Sequence, residues 1–325
     1  MNLELMSTRL LKKFSYHDKH LVGLAKYCDW FLFRLQLINL TNTDKPKLIF
    51  MSNFLLTEET KYDTFMQFYL KILPKIKNDF ILIIASEDYT FPSGSGDIRL
   101  NSYDNPKIQG YIKELLKNKY LKKIYVENLD TLHEKMVPLP LGILTAYGTD
   151  KKYNDLFFGV EKISQERKIN VLCCHRLYSQ LDEGKNGWSN QFLDRRNFNE
   201  LCDTKLNFVT NLSANLDEDD YKFLLLNSRF NICIHGGGID PSPKAWQSIL
   251  AGAIPIIQHS TLDEAYKKLP VVFVDKFDET TITEENLNKW YDELKDYYFD
   301  PIKRKEVLYK LSVQYWLSEI KGHLN

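Results

Sequence analysis

The sequence predicts an α/β protein built from two domains, each with a parallel sheet. Short apolar runs of strand length alternate with segments of helical periodicity along most of the 325 residues. Strands that alternate with helices of this length form parallel sheets with right-handed crossovers. A chain of this length is long for one hydrophobic core and comfortable for two.

The first series of elements occupies the amino-terminal half. Residues 1–44 are expected to be irregular to helical, and their aromatic-rich part, residues 27–40, should pack on the first sheet. A continuous apolar run at 80–85 is typical of a strand buried on both faces, and a polar glycine loop, residues 86–97, follows it. The predicted strands are 47–51, 80–85, 122–126 and 136–139, and the predicted helices are 58–76 and 105–118.

The second series repeats the alternation. Its predicted strands are 168–174, 206–209, 230–234, 254–257 and 271–274, and its predicted helices are 193–202, 217–226, 243–251, 262–268, 284–297 and 302–321. Between the two series, residues 146–166 contain few residues of buried type and are interpreted as an interdomain linker. The predicted domains are 1–150 and 151–300, followed by a carboxyl-terminal helix within 301–325 that is able to cross back to the first domain.

Composition excludes several classes of function. Lys and Arg together number 43, as do Asp and Glu, so the chain has no net field to attract nucleic acid, and a nucleic-acid partner is not expected. The five cysteines show no metal-ligand spacing, which indicates buried free thiols in a reducing compartment. No run approaches the ~20 apolar residues of a membrane span. We therefore expect a cytoplasmic protein without an integral membrane segment.

Residues 229–257 carry the clearest chemical signal. They are predicted to form a strand, a loop with three glycines (236–238), a helix, a glycine stop at Gly252 and a second strand. Ser242 is a good N-cap and Pro243 a good first helical residue. A helix N-terminus after a glycine loop, at the carboxyl end of a parallel strand, offers N–H groups and a favourable dipole to an anion. Lys244 adds a positive charge, so a phosphate or diphosphate is the expected ligand.

This segment resembles the donor-binding stretch of exostosin-like glycosyltransferases (glycosyltransferase family 47-like). The shared positions are Gly238, Ser242, Lys244, Trp246, Gln247, Ile249-Leu250, Gly252 and Ile254-Pro255-Ile256. Residues 242–246 are also similar, at Lys244 and Trp246, to a Thr-Glu-Lys-Leu-Trp run of α1,3-fucosyltransferases. A second patch, residues 127–143, resembles the end of the amino-terminal domain in the exostosin-like group.

The resemblance implies a GT-B architecture, in which two Rossmann-like domains face one another across a cleft. It implies a glycosyltransferase that moves a sugar from a nucleoside-diphosphate sugar to a glycan or other hydroxyl acceptor. Gln247 stands where retaining GT-B enzymes have the second of two glutamates, Ile239 stands at the first, and Asp240 lies one place late. This departure favours an inverting enzyme and leaves ribose recognition open. Many exostosin-like enzymes carry an amino-terminal Golgi anchor, but we do not expect one here, because residues 1–20 contain no apolar run long enough for an anchor.

The donor-binding candidates cluster around the predicted second sheet. In GT-B enzymes, arginines near the first strand and the following helix commonly hold the diphosphate through bidentate contacts; surface arginines and a structural histidine are the alternative interpretations. The predicted donor-binding residues are Arg176, Arg195, Arg196, His235, Gly236, Gly237, Gly238, Asp240, Ser242, Lys244 and Gln247.

An inverting transferase needs a base that takes the proton of the acceptor hydroxyl. The candidates are Asp88, then Asp97, both in the polar loop after the strand at 80–85, and then His133. The Asp-x-Asp at Asp217 and Asp219 is predicted to start a helix, because a metal-binding Asp-x-Asp belongs at the end of a strand. No metal or other cofactor is therefore expected.

Two alternatives to a transferase stay open at this point. One is a non-catalytic glycan- or nucleotide-binding protein of the same fold. The other is a two-domain nucleotide-sugar epimerase, which would interconvert donors without an acceptor. A dinucleotide fingerprint is not present in the glycine segment, because Gly236, Gly238 and Pro241 do not satisfy the G-x-G-x-x-G pattern.

Overall fold

Two β-sheets organise the described part of the chain. The computed structural model describes residues 3–9, 21–33, 36–52, 64–94, 105–144, 149–158, 163–177, 193–213 and 216–324. One sheet has six strands and the other has five, and helices connect most of the strands. The predicted fold class, an α/β protein with two Rossmann-like units, is confirmed.

The first sheet has the order β2-β1-β3-β4-β5-β6 and is parallel except at β2, which pairs antiparallel with β1. Its strands are β1 (Trp30–Phe33), β2 (Gln36–Asn39), β3 (Leu48–Ser52), β4 (Phe80–Ala85), β5 (Leu121–Val126) and β6 (Met136–Pro138). All six residues of β4 are buried, as its apolar run predicts.

The strands β1 and β2 correct the prediction of an irregular to helical segment over residues 1–44. Residues 30–33 are Trp-Phe-Leu-Phe, an apolar run too short to show a period, and they lie on the first sheet beside β3. The exposed strand β2 lies at the edge of the sheet. A short 3₁₀ helix, Gly23–Tyr27, precedes β1, so part of this segment is helical as predicted. The other helices of this unit are α1 (Thr64–Gln67), which continues as a π-helix over Phe68–Ile72 and a 3₁₀ turn over Leu73–Lys75, and α2 (Pro106–Lys117).

The second sheet is fully parallel and has the order β11-β10-β9-β7-β8. Its strands are β7 (Ile169–Cys174), β8 (Val209–Leu212), β9 (Ser228–Ile232), β10 (Ile254–Gln258) and β11 (Val272–Val274). The strand β8 begins three residues after its predicted start because Lys205 and Leu206 still donate to Leu201 at the end of the preceding helix.

Eight helices accompany the second sheet and the carboxyl terminus in the residues described. They are α3 (Thr149–Phe158), α4 (Leu193–Thr204), α5 (Glu218–Leu226), α6 (Pro243–Ala251), α7 (Asp263–Tyr266), α8 (Glu284–Phe299), α9 (Pro301–Lys310) and α10 (Val313–Gly322). None of the helices formed by the described residues is long and apolar enough to cross a membrane.

Two of these helices differ from the sequence prediction. The helix α3 lies within the segment interpreted as a linker, and it buries Tyr153, Leu156 and Phe157 against α5 and α6. The helix predicted over 302–321 is two helices, because Ser312 accepts a hydrogen bond from the Tyr315 N–H and caps α10. A serine inside an apolar pattern is compatible with either interpretation, and only the packing decides between them.

The helix α6 has the predicted boundaries. Ser242 is its N-cap, Pro243 is its first residue, and Gly252 ends it with a φ of +81°. Its carboxyl end is held by two arginines from other elements. Arg304 of α9 donates to the Ile249 and Leu250 carbonyls at 2.6 and 2.8 Å, and Arg167 donates to the Ala251 carbonyl at 3.0 Å. These charges match the negative end of the helix dipole.

Residues 3–9 run between the two units. The Met6 N–H donates to the Leu311 carbonyl at 2.8 Å, and the Thr8 N–H donates to the Leu141 carbonyl at 3.0 Å. Gly142, with a φ of +78°, lies against this segment: an added Cβ would be 2.7 Å from the Met6 carbonyl carbon. The amino-terminal segment is therefore clamped between the first unit and the carboxyl-terminal helices.

We predict that Gly142→Ala lowers the free energy of unfolding by about 2 kcal/mol or more, because an alanine is strained at this φ and its Cβ meets backbone atoms. Gly110→Ala is the control: Gly110 lies in α2 with nothing within 4 Å of an added Cβ. That variant should gain about 0.5–1 kcal/mol. Denaturant unfolding measures both, and equal stability of the two variants would contradict the clamp.

Candidate functional site

The order of the second sheet reverses between β7 and β9. From β7 the chain goes to β8 on one side, and from β9 it continues to β10 and β11 on the other. In open parallel sheets, ligands bind in the crevice outside the carboxyl ends of the strands at such a switch point. His175 and Arg176 follow β7, and His235 with the glycine loop (Gly236–Gly238) follows β9. The predicted donor-binding residues of these two segments therefore lie at the switch point.

His175 ties the ends of these two strands together. Its Nδ1 lies 3.3 Å from the Cys173 Sγ, and its Nε2 accepts a hydrogen bond from the Ile234 N–H at 3.3 Å. Burial, and then the neighbouring cation of Arg195, lowers the pKa of His175 well below its usual range. A neutral, fully buried imidazole of this kind is a structural element of the crevice floor.

The structure brings Arg195 to the glycine loop. Its guanidinium is buried and donates to the His235 carbonyl at 2.8 Å and to the Ile234 carbonyl at 3.2 Å. A Cβ added at Gly236 would lie 2.9 Å from the Arg195 Nη2, so the missing side chain of Gly236 allows this close contact. The charge of Arg195 is thereby fixed beside the ends of β7 and β9.

The other predicted residues of this region lie around Arg195. Arg176 is exposed after β7, and Arg196 is half-buried in α4. The His235 Nε2 lies 3.7 Å from the Asp194 Oδ2, and burial lowers the pKa of His235. Arg176 and Arg196 are therefore cationic residues near the switch point, and His235 becomes cationic only on protonation.

Lys244 provides a second fixed cation at the switch point. It is the second residue of α6, and its Nζ lies 4.7 Å from the centre of the Tyr221 ring. Burial lowers the pKa of Lys244, and so does the nearby charge of Arg195. Within the described ranges, no carboxylate lies within 4.0 Å of the Lys244 ammonium. Lys244 and Arg195 therefore place two positive charges near the carboxyl ends of β7 and β9.

The carboxylate that comes near this lysine is Glu218 of α5. Burial raises the pKa of Glu218, while Lys244 opposes that change. The Gln247 side chain, a predicted donor-binding residue, is buried and donates to the Glu218 Oε1 at 2.7 Å. Gln247 therefore orients Glu218 beside Lys244 in this structure.

The N-terminus of α6 corrects one expectation. The sequence predicts free N–H groups there, but the Lys244 N–H donates to the Ser242 Oγ at 3.4 Å and the Ala245 N–H to the Ser242 carbonyl at 3.2 Å. Pro243 has no N–H. The helix therefore contributes its dipole and the Lys244 side chain to the crevice, rather than these amides. Ser242 has a φ of +71°, a conformation that few residues other than glycine adopt.

The glycine loop contacts the first unit. A Cβ added at Gly237 would lie 2.8 Å from the Asp88 Cγ, and one added at Gly238 would lie 2.7 Å from the Asp88 carbonyl oxygen. Asn128, which follows β5, accepts hydrogen bonds from the Ile239 and Asp240 N–H groups at 3.0 and 3.1 Å. The carboxyl edges of the two sheets therefore face one another, and the glycines are needed for the contact between them.

Asp240 belongs to this contact between the two units. Its Oδ2 accepts hydrogen bonds from the Leu141 N–H at 3.1 Å and the Tyr266 hydroxyl at 2.8 Å, and its Oδ1 accepts from the Ser242 N–H at 2.8 Å. Burial raises the pKa of Asp240 to about 7. Both oxygens of this predicted donor-binding residue are thus engaged by protein groups.

Asp88, the first candidate base, lies at the carboxyl edge of the first sheet beside Arg9 and Glu127, two residues for which the sequence predicts no role in the site. Asp88 forms an ion pair with Arg9, whose Nη2 also lies 2.8 Å from the Glu127 Oε1. Glu127 is 1% exposed, and its Oε2 accepts hydrogen bonds from the Thr8 hydroxyl at 2.6 Å and the Ser86 N–H at 2.8 Å.

The electrostatics of this cluster follow from burial and from the donors. Burial raises the pKa of Glu127, but the charge of Arg9 and the hydrogen bonds from Thr8 and Ser86 lower it, so the carboxylate form is the one that fits these neighbours. Burial alone would lower the pKa of Arg9, yet the carboxylates of Glu127 and Asp88 outweigh it and raise this pKa. The sequence signal for Glu127 was its place directly after β5; Arg9 had none.

The structure does not bring His133 to this edge. His133 is exposed, and its Nδ1 accepts a hydrogen bond from the Lys135 N–H at 3.0 Å. Lys135 in turn donates to the carbonyl of Asn118, which precedes β5, so this turn lies at the amino ends of the strands. Asp97, the other candidate base, lies outside the described residues.

Asp217 caps α5, as predicted. Its Oδ1 accepts hydrogen bonds from the Asp219 and Asp220 N–H groups at 2.9 and 2.8 Å. Within the part of the chain that the structure describes, no group of three or more His, Cys, Asp or Glu side chains is placed to hold a metal ion.

Comparison with known proteins finds only weak structural similarity. No family model matches the chain, and no curated protein matches it, so neither comparison supports the exostosin-like resemblance. A solved structure of the spinosyn rhamnosyltransferase SpnG is similar at 8% identity and a TM-score of 0.34, over 85% of this chain and 73% of that one. SpnG complexed with thymidine diphosphate matches at 10% identity and a TM-score of 0.30, over 81% and 69%. We take no function from similarities of this size.

The raised pKa of Asp240 predicts how stability depends on pH. Between pH about 4 and 7 the folded state keeps a proton on Asp240 that the unfolded state loses, so the free energy of unfolding should fall as pH rises. The effect of this one group is at most about 4 kcal/mol. Asp240→Asn keeps the size of the side chain and cannot ionise. The slope of its unfolding free energy against pH in this window should therefore be less negative than that of the wild type. Denaturant unfolding at a series of pH values gives both slopes, and equal slopes would refute the raised pKa.

Proposed function

We propose that the protein is a glycosyltransferase that uses a nucleoside-diphosphate sugar. The observation that carries the proposal is the opposition of charges at the two carboxyl edges. Lys244 and Arg195 stand at the switch point of the second sheet, and Asp88 stands on the facing edge of the first. An anionic leaving group and a base on opposite sides of the reacting carbon are the two requirements of an inverting sugar transfer.

The second unit is proposed to bind the diphosphate. The ammonium of Lys244 is partly buried and shares the crevice with Arg195, so each cation disfavours the other until an anion arrives. A diphosphate between them would remove this repulsion. When the bond between the sugar C1 and the diphosphate oxygen breaks, negative charge grows on that oxygen. Fixed cations aimed at this charge stabilise the transition state without reorganising.

The first unit is proposed to bind the acceptor and to supply the base. The acceptor hydroxyl attacks C1 from the face opposite the diphosphate, and its proton passes to the Asp88 carboxylate. One C–O bond forms as the other breaks, and the configuration at C1 inverts. Because Asp88 lies against Gly237, the base stands directly across from the loop that leads into α6.

We further propose that the enzyme works without a metal ion and transfers to a glycan or another hydroxyl acceptor. The support for metal independence is that Lys244, Arg195 and the amino end of α6 can together meet the charge of a diphosphate. Arg176 and His235, at the mouth of the same crevice, are proposed to assist donor binding.

The proposal is tested with a panel of nucleotides and nucleotide sugars. A thermal-shift screen against UDP, GDP, thymidine diphosphate, CMP and their sugars should find at least one stabilising ligand. Binding at 100 times the Kd adds about 2.7 kcal/mol to stability. Sugar transfer to glycan acceptors in EDTA should then proceed at the full rate. Strict dependence on Mn²⁺ or Mg²⁺ would overturn metal independence. Binding of a nucleotide sugar without transfer would favour a binding protein. Interconversion of nucleotide sugars without an acceptor would favour an epimerase.

Lys244→Ala should weaken binding of the nucleoside diphosphate by about one to two orders of magnitude, because a charge-assisted contact is worth roughly 1.5–3 kcal/mol. Turnover should fall as well if the ammonium meets charge that grows in the transition state. Fold stability should change little, since the lost contact with the Tyr221 ring is offset by removal of a buried charge beside Arg195. Titration calorimetry measures the affinity, and thermal melting measures the stability.

Lys107→Ala is a closely matched control. Lys107 is also the second residue of a helix, follows a proline in α2, and places its ammonium 6.0 Å from the centre of the Tyr111 ring. It is exposed and belongs to the first unit, so its replacement should leave nucleotide affinity unchanged. An equal loss in both variants, or unchanged affinity in folded Lys244→Ala, would remove Lys244 from the donor site.

A further inference from the structure

We propose that Arg9 is a positioning residue that holds the Asp88 carboxylate in its charged form and directs it at the glycine loop. The inference deepens the proposed function, because it rests on Asp88 as the base of the sugar transfer. Its observations, however, are independent of any substrate.

The two oxygens of Asp88 have different surroundings. The Arg9 Nη2 forms an ion pair with the Asp88 Oδ1. The Oδ2 is the Asp88 atom nearest to the position that a Cβ on Gly237 would take, so it faces the loop of the second unit. A carboxylate held through one oxygen and presented through the other has a fixed orientation toward the cleft.

Arg9 is itself held in place from several sides. Glu127, which is fully buried, contacts the Arg9 Nη2 at 2.8 Å and is fixed by the Thr8 hydroxyl and the Ser86 N–H. The backbone before Arg9 is clamped where Thr8 donates to the Leu141 carbonyl. The Arg9 guanidinium is therefore held in a network of ion pairs and is not a mobile surface charge.

The charges around the Arg9–Asp88 ion pair decide whether Asp88 becomes easier or harder to ionise. Arg9 is acted on by Glu127, Asp88 and Glu87. Among the described residues, Asp88 thus has Arg9 as a neighbouring cation and Glu127 as a neighbouring carboxylate. The cation favours the charged form of Asp88, and Glu127 disfavours it. Removing Arg9 should therefore make Asp88 harder to ionise, and removing the charge of Glu127 should make it easier.

The decisive measurement is the titration midpoint of the Asp88 carboxyl carbon by ¹³C NMR, with its signal assigned from its loss in Asp88→Asn. In Arg9→Gln the midpoint should rise by about 1 to 3 pH units, the range for loss of an opposite charge at this distance. Arg9→Lys should restore part of the wild-type value. Lys26→Met removes the 3.0 Å ion pair between Lys26 and Glu4 near the same segment and should leave the midpoint unchanged.

Glu127→Gln gives a result of opposite sign and covers the case in which Arg9→Gln does not fold. Its amide oxygen can still accept from Thr8 and Ser86, while the buried carboxylate that competes with Asp88 for Arg9 loses its charge, so the Asp88 midpoint should fall. A midpoint that stays the same in folded Arg9→Gln, or that stays the same or rises in Glu127→Gln, overturns the proposal.

Kinetics separate this inference from the proposed function. In Arg9→Gln the acid limb of the pH dependence of kcat/KM should move upward with the NMR midpoint, while the KM for the nucleotide sugar should not change. A wild-type protein that transfers no sugar counts against the proposed function, and the titration still decides the role of Arg9. If the enzyme is active and Arg9→Gln has the same pH profile as the wild type, the role of Arg9 is refuted while the proposed function stands.

Discussion

The contact between the glycine loop and the first unit is the constraint on which the candidate site depends. Asn128 accepts two backbone N–H groups of the second unit with one side-chain oxygen, and Asp240 accepts a backbone N–H of the first unit in return. Both side chains are buried, so any of these groups left without its partner would cost about 1–3 kcal/mol. The reciprocal pattern fixes which strand ends face each other, and therefore which charges meet across the cleft.

The charges are separated although the chain as a whole is neutral. The switch point of the second sheet gathers Lys244 and Arg195, whereas the facing edge carries Asp88 and Glu127. Arg9 contacts both carboxylates, and its positive charge offsets the repulsion between them. A site with cations on one side and a shielded carboxylate on the other is suited to a substrate that has an anionic end and a neutral hydroxyl partner.

Local signals allowed part of this to be predicted from the sequence. The ends of α6 follow from Ser242, Pro243 and Gly252, and the strand β4 follows from an unbroken apolar run. The sequence could not assign the glycines to a contact with Asp88, because that contact joins residues far apart in the chain. For the same reason Arg9 was missed: its partner Glu127 is 118 positions away in the sequence. Local sequence signals determine whether a segment is a helix or a strand. The residues that meet in the site are determined by how the strands are ordered and packed.

The nature of the contact between the units indicates how a substrate would enter. Gly237 and Gly238 touch the first unit, so the space in front of the loop is narrow in this structure. The ties across it are hydrogen bonds from Asn128 and Asp240, and such bonds exchange with water at a small net cost when both partners become solvated. Arg9, by contrast, is anchored to the first unit through Thr8 and Glu127. If the edges separate, Asp88 would therefore keep its contact with Arg9, and the proposed base would remain oriented before the proposed substrates arrive.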